Sequence, residues 1–274
     1  EGYVHEISDV IKKYQAADKP TGGAFAARDV KYNDFVEAYR LVRYQYSKYS
    51  ELARSLVEGV YSSAALEIVK RLGDTESLEF LDCGCGPSRM TYELSSVYKK
   101  AKFTLLDFSI INLFFADKII RGDAPVLVPV RAFDDDGDVS IGKIYPKNYA
   151  NIDCFVYNLD RVSPKSFEKK FDVIMSTHAL NLLSDPLHTL HQMSALLKRG
   201  GLLVVADLLG WKENREQSRR IFSNGKKFKE VLSNLAGMRL LHYESGGPYC
   251  EEVNQERYDL YINHLVVLEK VVDG

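Results

Sequence analysis

The sequence is short of the features that would place a protein outside the ordinary soluble class. Only four cysteines, Cys83, Cys85, Cys154 and Cys250, occur in 274 residues. That is too few, and two sit too close together, for a secreted disulfide framework. Cys83-x-Cys85 lacks the usual CxxC spacing and has no histidine cluster beside it, so no metal is expected. His188 and His191 share a helical face without a carboxylate-rich partner motif, and they read as surface or core histidines. No apolar run reaches the roughly 18 residues that a bilayer span requires. Neither charge sign dominates: 36 Lys and Arg against 38 Asp and Glu leave a formal net charge of −2. That balance argues against a large nucleic-acid footprint. The start, Glu1-Gly2-Tyr3, has neither a basic run nor an apolar stretch, so no secretory leader is expected there. A reducing, cytoplasmic setting is the default expectation. No internal repeat or low-complexity segment is present.

What the chain has is the composition of a globular protein, 46% apolar and 27% charged. Its length suits one α/β domain with an extra segment. Residues 1–73 read as helical, with apolar positions at helical spacing in Phe35-Val36-Tyr39-Val42 and in Leu52-Leu56-Val60. Gly22-Gly23 breaks that pattern. This stretch is rich in tyrosine, and it reads either as amphipathic helices packed on a domain or as a lid whose rings line a site. From residue 74 onward the pattern becomes alternating strands and helices, which implies parallel pairing with right-handed crossovers. Strands are expected at Leu78–Asp82, Phe103–Asp107, Ile152–Leu159, Phe171–Met175 and Leu202–Asp207. Helices are expected over Met90–Tyr98, up to Ile119, over Pro186–Lys198 and over Lys226–Leu235. Two final strands, Met238–Glu244 and Tyr258–Val271, are expected to pair antiparallel around a loop holding Gly246-Gly247-Pro248. Residues 121–150 fit the alternation poorly. Their acidic run Asp134–Asp138 lacks EF-hand spacing and reads as a solvated loop.

The chemistry concentrates at strand ends. Asp82-Cys83-Gly84-Cys85-Gly86 follows a strand and precedes a helix, where glycine permits a tight turn and close approach of a ligand. The following helix N-terminus is expected to offer unpaired N–H groups. A dinucleotide fingerprint would need a third glycine where Arg89 stands. Asp107 ends the next strand, placed to accept ribose hydroxyls, and Phe108 beside it could contact adenine. Asp160 closes the third strand, where a carboxylate can take an adenine amino group. Three acids at successive strand ends favour a nucleoside ligand.

With these residues in place, the chain resembles the class I S-adenosylmethionine-dependent methyltransferases. The resemblance rests on the glycine turn, the strand-end acids, Leu196-Leu197-Lys198-Arg199-Gly200-Gly201 before a strand, and the antiparallel finish. It covers about residues 78–271. It implies an α/β, Rossmann-like, seven-stranded and mostly parallel sheet with an antiparallel last strand, plus an N-terminal helical lid. Arg199 stands where the family usually has proline. The Asn-Pro-Pro-Tyr type motif of amide and adenine methyltransferases is absent, which lowers the nucleic-acid and protein-substrate readings. A narrower resemblance is to the nicotinamide, phenylethanolamine and indolethylamine N-methyltransferases. Gly84-Cys85-Gly86-Pro87-Ser88 is similar to their glycine turn, and Asp107-Phe108-Ser109-Ile110-Ile111-Asn112 to their ribose-binding segment. Asp34–Tyr39 resembles their N-terminal tyrosine helix, and Ala206-Asp207 with Ile221-Phe222-Ser223 the nicotinamide branch. Phe35 replaces a cofactor-touching tyrosine of that family, and Asn181 replaces an acid that serves the amine.

The resemblance implies a cofactor set of Asp82, Gly84, Cys85, Gly86, Ser88, Asp107, Phe108, Asn112, Asp160, Thr177 and Tyr39, with S-adenosylmethionine as cofactor. Substrate contacts fall to Phe35, Asn181 and Asp207. His178 and Asp207, both near strand carboxyl ends, are the candidate acid–base residues. The expected partner is a small-molecule methyl acceptor, with no nucleic acid and no membrane, the chain being a monomer or homodimer. The leading expectation is N-methylation of a small amine or N-heterocycle. O- or C-methylation of a small natural product is the second, and a non-catalytic S-adenosylmethionine-binding subunit the third.

Overall fold

In the computed structural model the described residues are 32–46, 51–73, 75, 77–131, 139–209, 222, 224–254 and 257–272. Gly22-Gly23, the acidic run Asp134–Asp138, Ile221 and Ser223 lie outside them. Two helices come first, α1 (Tyr32–Tyr46) and α2 (Glu51–Leu72). There follow β1 (Glu79–Cys83), α3 (Arg89–Leu94), β2 (Lys102–Asp107) and α4 (Ile110–Arg121). Next come β3 (Val126–Arg131), β4 (Val139–Ile144), β5 (Ile152–Val156) and β6 (Phe171–Thr177). The chain ends with α5 (Pro186–Leu196), β7 (Leu197–Asp207), α6 (Gly225–Ser233), β8 (Met238–Asn254) and β9 (Arg257–Lys270).

Seven strands form one sheet in the order β5-β2-β1-β6-β7-β9-β8. The first five are parallel, and β9 is antiparallel to both β7 and β8. The central strands are buried on both faces, which is why Phe80-Leu81 and Val173-Ile174-Met175 read as unbroken apolar runs. One face carries α2 and α3, whose Val60, Ala64, Ile68, Met90 and Leu94 share a cluster with Phe80, Phe103 and Val173. The other carries α5 and α6 through Leu190, Met193, Phe228 and Leu232. The inner face of α2 is therefore part of the sheet's own core. A third cluster joins Ala38 and Val42 of α1 to α4 and to the β3–β4 hairpin. Among the described residues no helix is long and apolar enough to cross a membrane.

Two expectations change. The irregular stretch 121–150 contains an antiparallel hairpin, β3–β4, outside the main sheet. The Gly246-Gly247-Pro248 segment is not a loop. It lies within β8, where the register shifts between Ser245 and Gly247 and Gly246 takes φ 101°. As the outermost strand, β8 can absorb a bulge and a proline that an inner strand could not. Strand order reverses between β1 and β6, and the crevice outside their carboxyl ends is where open α/β sheets bind ligands.

Candidate functional site

The turn after β1 is fixed by bonds to β2. The Gly84 and Cys85 amides both donate to the Leu106 carbonyl, at 2.8 and 3.0 Å. Gly84 has φ 70°, and a Cβ there would stand 2.5 Å from Cβ of Ala179 in the loop after β6. Glycine is required on both counts, backbone and space. The Gly86 amide donates to Asp107 Oδ2 at 2.8 Å. Asp107 Oδ1 accepts from the Ser109 amide at 2.8 Å and from Asn112 Nδ2 at 3.1 Å. Burial raises the Asp107 pKa, and these three donors oppose the rise. A carboxylate offers about four acceptor positions, so roughly one remains for a ligand hydroxyl. Phe108, next in sequence, is 60% exposed. The Tyr157 amide, just past β5, donates to the Asp107 carbonyl at 2.9 Å and brings that segment alongside.

Asp82 takes a different place from the one expected. It is 2% exposed, and its Oδ2 accepts from Thr91 Oγ1 at 2.9 Å and from Ser88 Oγ at 3.4 Å. Burial pushes its pKa up to about 7, opposed by the Thr91 and Ser88 hydroxyls and the Thr91 amide. The N-terminus of α3 is thus filled by the chain's own carboxylate, where open N–H groups were expected. Ser88 is fully buried at the same point with φ 66°. Cys85 is buried, its thiol 3.3 Å from the Gly86 carbonyl, and burial raises its pKa and that of Cys83.

Past β6, Thr177 and His178 lie next to the end of β7, the His178 amide donating to the Ala206 carbonyl. His178 has φ 55°, which turns its ring toward α2 and β8. The ring lies 4.2 Å from Tyr249 and 6.1 Å from Tyr61, centre to centre. Its Nε2 stands 3.1 Å from Asn263 Oδ1, and its Nδ1 is buried without a hydrogen-bond partner. Burial pulls its pKa down to about 4, with the Asn263 bond opposing. Asn181 sits one short turn later, partly buried.

Asp207 does not join His178. It pairs with His264, whose ring contacts Phe228 and Tyr243 on the opposite face of the sheet. Asp207 is wholly buried and accepts from the Leu209 amide at 3.1 Å. Burial pushes its pKa up to about 6 against the amides of Leu209, Asn181, Leu208 and Leu180. Its Oδ2 is buried without a hydrogen-bond partner. Asp160 lies past the end of its strand, in the short turn Leu159–Arg161. The strand ends at Val156, and both Asp160 oxygens are held by Ser184. Tyr39 donates to the Leu127 carbonyl and packs on Phe115, which directs it to the hairpin side. Phe35 lies on α1, and its side chain falls outside the described residues.

Several residues near the turn escaped the sequence reading. Tyr46 of α1 donates to the Pro87 carbonyl at 2.9 Å. Arg89 donates to the Gln45 carbonyl at 2.5 Å, pairs with Glu93, and lies 5.2 Å from the Tyr46 ring centre. Tyr61, Tyr249 and Asn263 surround His178. Periodicity marks Tyr46 only as one tyrosine among many, and nothing local marks Asn263.

A family model described as a methyltransferase domain matches residues 57–245. No curated protein matches the chain in sequence. Among solved structures, the CurJ carbon methyltransferase shares 14% identity with a TM-score of 0.54, over 88% of this chain and 59% of that one. The chain therefore spans less than two thirds of that protein's length. The N-methyltransferase NodS from Bradyrhizobium japonicum, crystallised with S-adenosyl-L-homocysteine, shares 13% identity at TM-score 0.51, over 87% and 98% of the two chains. The magnesium protoporphyrin IX methyltransferase of Synechocystis, also with bound S-adenosylhomocysteine, shares 10% at 0.53, over 86% and 94%. At these identities the likeness is one of fold.

Proposed function

Since the chain belongs to the methyltransferase-domain family, we propose that it moves a methyl group from S-adenosylmethionine to the nitrogen of a small amine or N-heterocycle. The observation that carries the donor is Asp82 at the head of α3. A dinucleotide places its pyrophosphate at that helix end. Here it would meet a carboxyl instead of free donors, whereas an adenosyl sulfonium brings no phosphate. Asp107 keeps an acceptor position for the ribose, and the exposed Phe108 ring offers a face to the adenine. Gly84, Cys85 and Gly86 form the wall, and Ser88 and Asn112 hold it in shape.

When bound, S-adenosylmethionine supplies an activated methyl group, so the protein mainly aligns the acceptor and excludes water. The Asn263 carbonyl oxygen facing Nε2 keeps the proton on that nitrogen and leaves Nδ1 as a lone pair. With its pKa pulled down to about 4, His178 is neutral at ordinary pH. Nδ1 can accept a hydrogen bond or a proton from an incoming acceptor. Thr177 and Asn181 flank it as neutral contacts. The four cysteines are buried and none is in a disulfide, which goes with a reducing compartment.

Thermal melting with S-adenosylmethionine, S-adenosylhomocysteine and NAD tests the donor. Stabilisation is expected from the first two, and its absence at saturation would end the assignment. Methyl-labelled donor is then offered with amines, pyridines, phenols and acids. Label found only on phenols or acids would replace nitrogen by oxygen as the acceptor atom.

A further inference from the structure

Asn263 also lines a cavity of about 150 Å³. One wall is α2, through Ser55, Gly59 and Ser63, and the other is the β8–β9 hairpin, through Glu244, Pro248 and Asn263. The register places it at the working end of the sheet. Leu265 pairs with Ala206 and His264 with Asp207, so Asn263 lies one residue past the carboxyl end of β7. Asn263 is 5% exposed, so its amide is a buried polar group that both lines the cavity and touches His178. A space of this size holds one aromatic ring.

The charge of the lining has one sign. Glu244 is its only ionisable side chain, and its side chain is 49% exposed at the mouth. The His242 ring lies 3.6 Å from it and pairs with it as an ion only when protonated. The α2 wall, by contrast, carries no charge and is made of Ser55, Gly59, Val60 and Ser63. A Cβ on Gly59 would meet nothing within 4 Å, so the helix leaves room there that only a bulky side chain would fill.

Resting on the proposed N-methyl transfer, we infer that this cavity is a recognition subsite for the non-reacting end of the acceptor, and that it takes a ring-sized group bearing an ammonium or another hydrogen-bond donor. Glu244 receives the cation at the mouth, and Asn263 reports its presence to His178. Binding energy gathered there, away from the reacting atom, positions the acceptor nitrogen.

The test uses the whole protein without donor and three probes of one shape: benzylamine, benzyl alcohol and benzoate. Binding is read by NMR titration, following the His178 ring nitrogens. Benzylamine is expected to bind saturably and move the His178 signals, benzyl alcohol to bind more weakly, and benzoate not at all. Glu244→Gln should bring benzylamine down about fivefold, to the level of the alcohol, as a half-exposed charge pair warrants. Gly59→Phe should abolish binding of both, while Gly59→Ala, which leaves most of the space open, should retain it. Benzylamine binding unaltered in Gly59→Phe, or benzoate binding as well as benzylamine, would overturn the subsite. Donor-induced stabilisation of the wild type without benzylamine binding also overturns it, and leaves methyl transfer standing. Absence of that stabilisation, with benzylamine still bound, overturns methyl transfer alone.

Discussion

The Gly86 amide donates to Asp107 Oδ2 at 2.8 Å, so the turn after β1 takes its shape from a carboxylate at the end of β2. Asp107→Ala would strand that amide together with the Ser109 amide and Asn112 Nδ2. Hydrogen bonds to a charged group contribute about 1.5 to 3 kcal/mol each, and water can replace some of them here. A loss of about 2 kcal/mol in urea unfolding is expected, with at least a tenfold loss of S-adenosylhomocysteine affinity by calorimetry. Unchanged affinity would remove Asp107 from the donor site.

Gly84→Ala sets a left-handed backbone against a side chain and drives a methyl group into Ala179. The first effect costs about 1 to 2 kcal/mol and the second a similar amount. The unfolding midpoint in urea should fall by the equivalent of about 3 kcal/mol. A loss under about 1 kcal/mol would mean that the β6 loop moves aside freely.

Asp82 gives a pH dependence of opposite sign to the usual carboxylate. Its pKa is raised from 3.8 to about 7 by burial. Between those values the unfolded chain has released this proton and the folded chain keeps it, so this residue's contribution to stability falls as pH rises. Asp82→Asn removes the dependence. Its stability relative to wild type should climb from pH 4 to pH 7, by at most ~1.4 kcal/mol per unit. Urea titrations at the two ends of the window check this, and a constant difference would show that Asp82 is ionised when buried.

His178 runs the other way. Its pKa falls from 6.5 to about 4 on folding, so the stability tied to the neutral ring is fully present above pH 6.5 and lost as pH drops through 4. The kcat/KM profile should stay flat from pH 7 to 5 and break near 4. A break at 6.5 would place the ring in contact with water.

Most of the sheet was legible because parallel strands buried on both faces are apolar from end to end, and because Asp82, Asp107 and the glycines sit at their ends. The direction of a strand-end side chain was not legible. Asp207 and Asp160 look like site acids in sequence, yet one is turned by its register to the far face and the other is held by Ser184. His178 reaches the near face only because its backbone goes left-handed. The Asn263 contact spans 85 positions in the chain, a pairing that no local pattern encodes. Arg89 was weighed only as a misfit to a dinucleotide fingerprint.

Arg89 in fact ties α1 to α3. It bonds Gln45, pairs with Glu93 and Glu58, and lies against the rings of Tyr46 and Tyr92. Arg89→Ala should free α1 with little effect on the sheet. Limited proteolysis should then cut within α1 faster than in wild type, by about tenfold for each 1.4 kcal/mol of attachment lost. Equal rates would assign the attachment to the Tyr46 bond and the apolar contacts of Ala38 and Val42.

The Tyr46–Pro87 bond has a consequence for how the molecule responds to its ligand. Pro87 belongs to the short turn after β1, so α1 grips, besides α4 and the hairpin, the turn proposed to carry the ligand. The attachment of α1 and the occupancy of that loop are then linked equilibria, and linkage is reciprocal. Whatever factor the docked helix adds to ligand affinity, the ligand must return as protection of the helix.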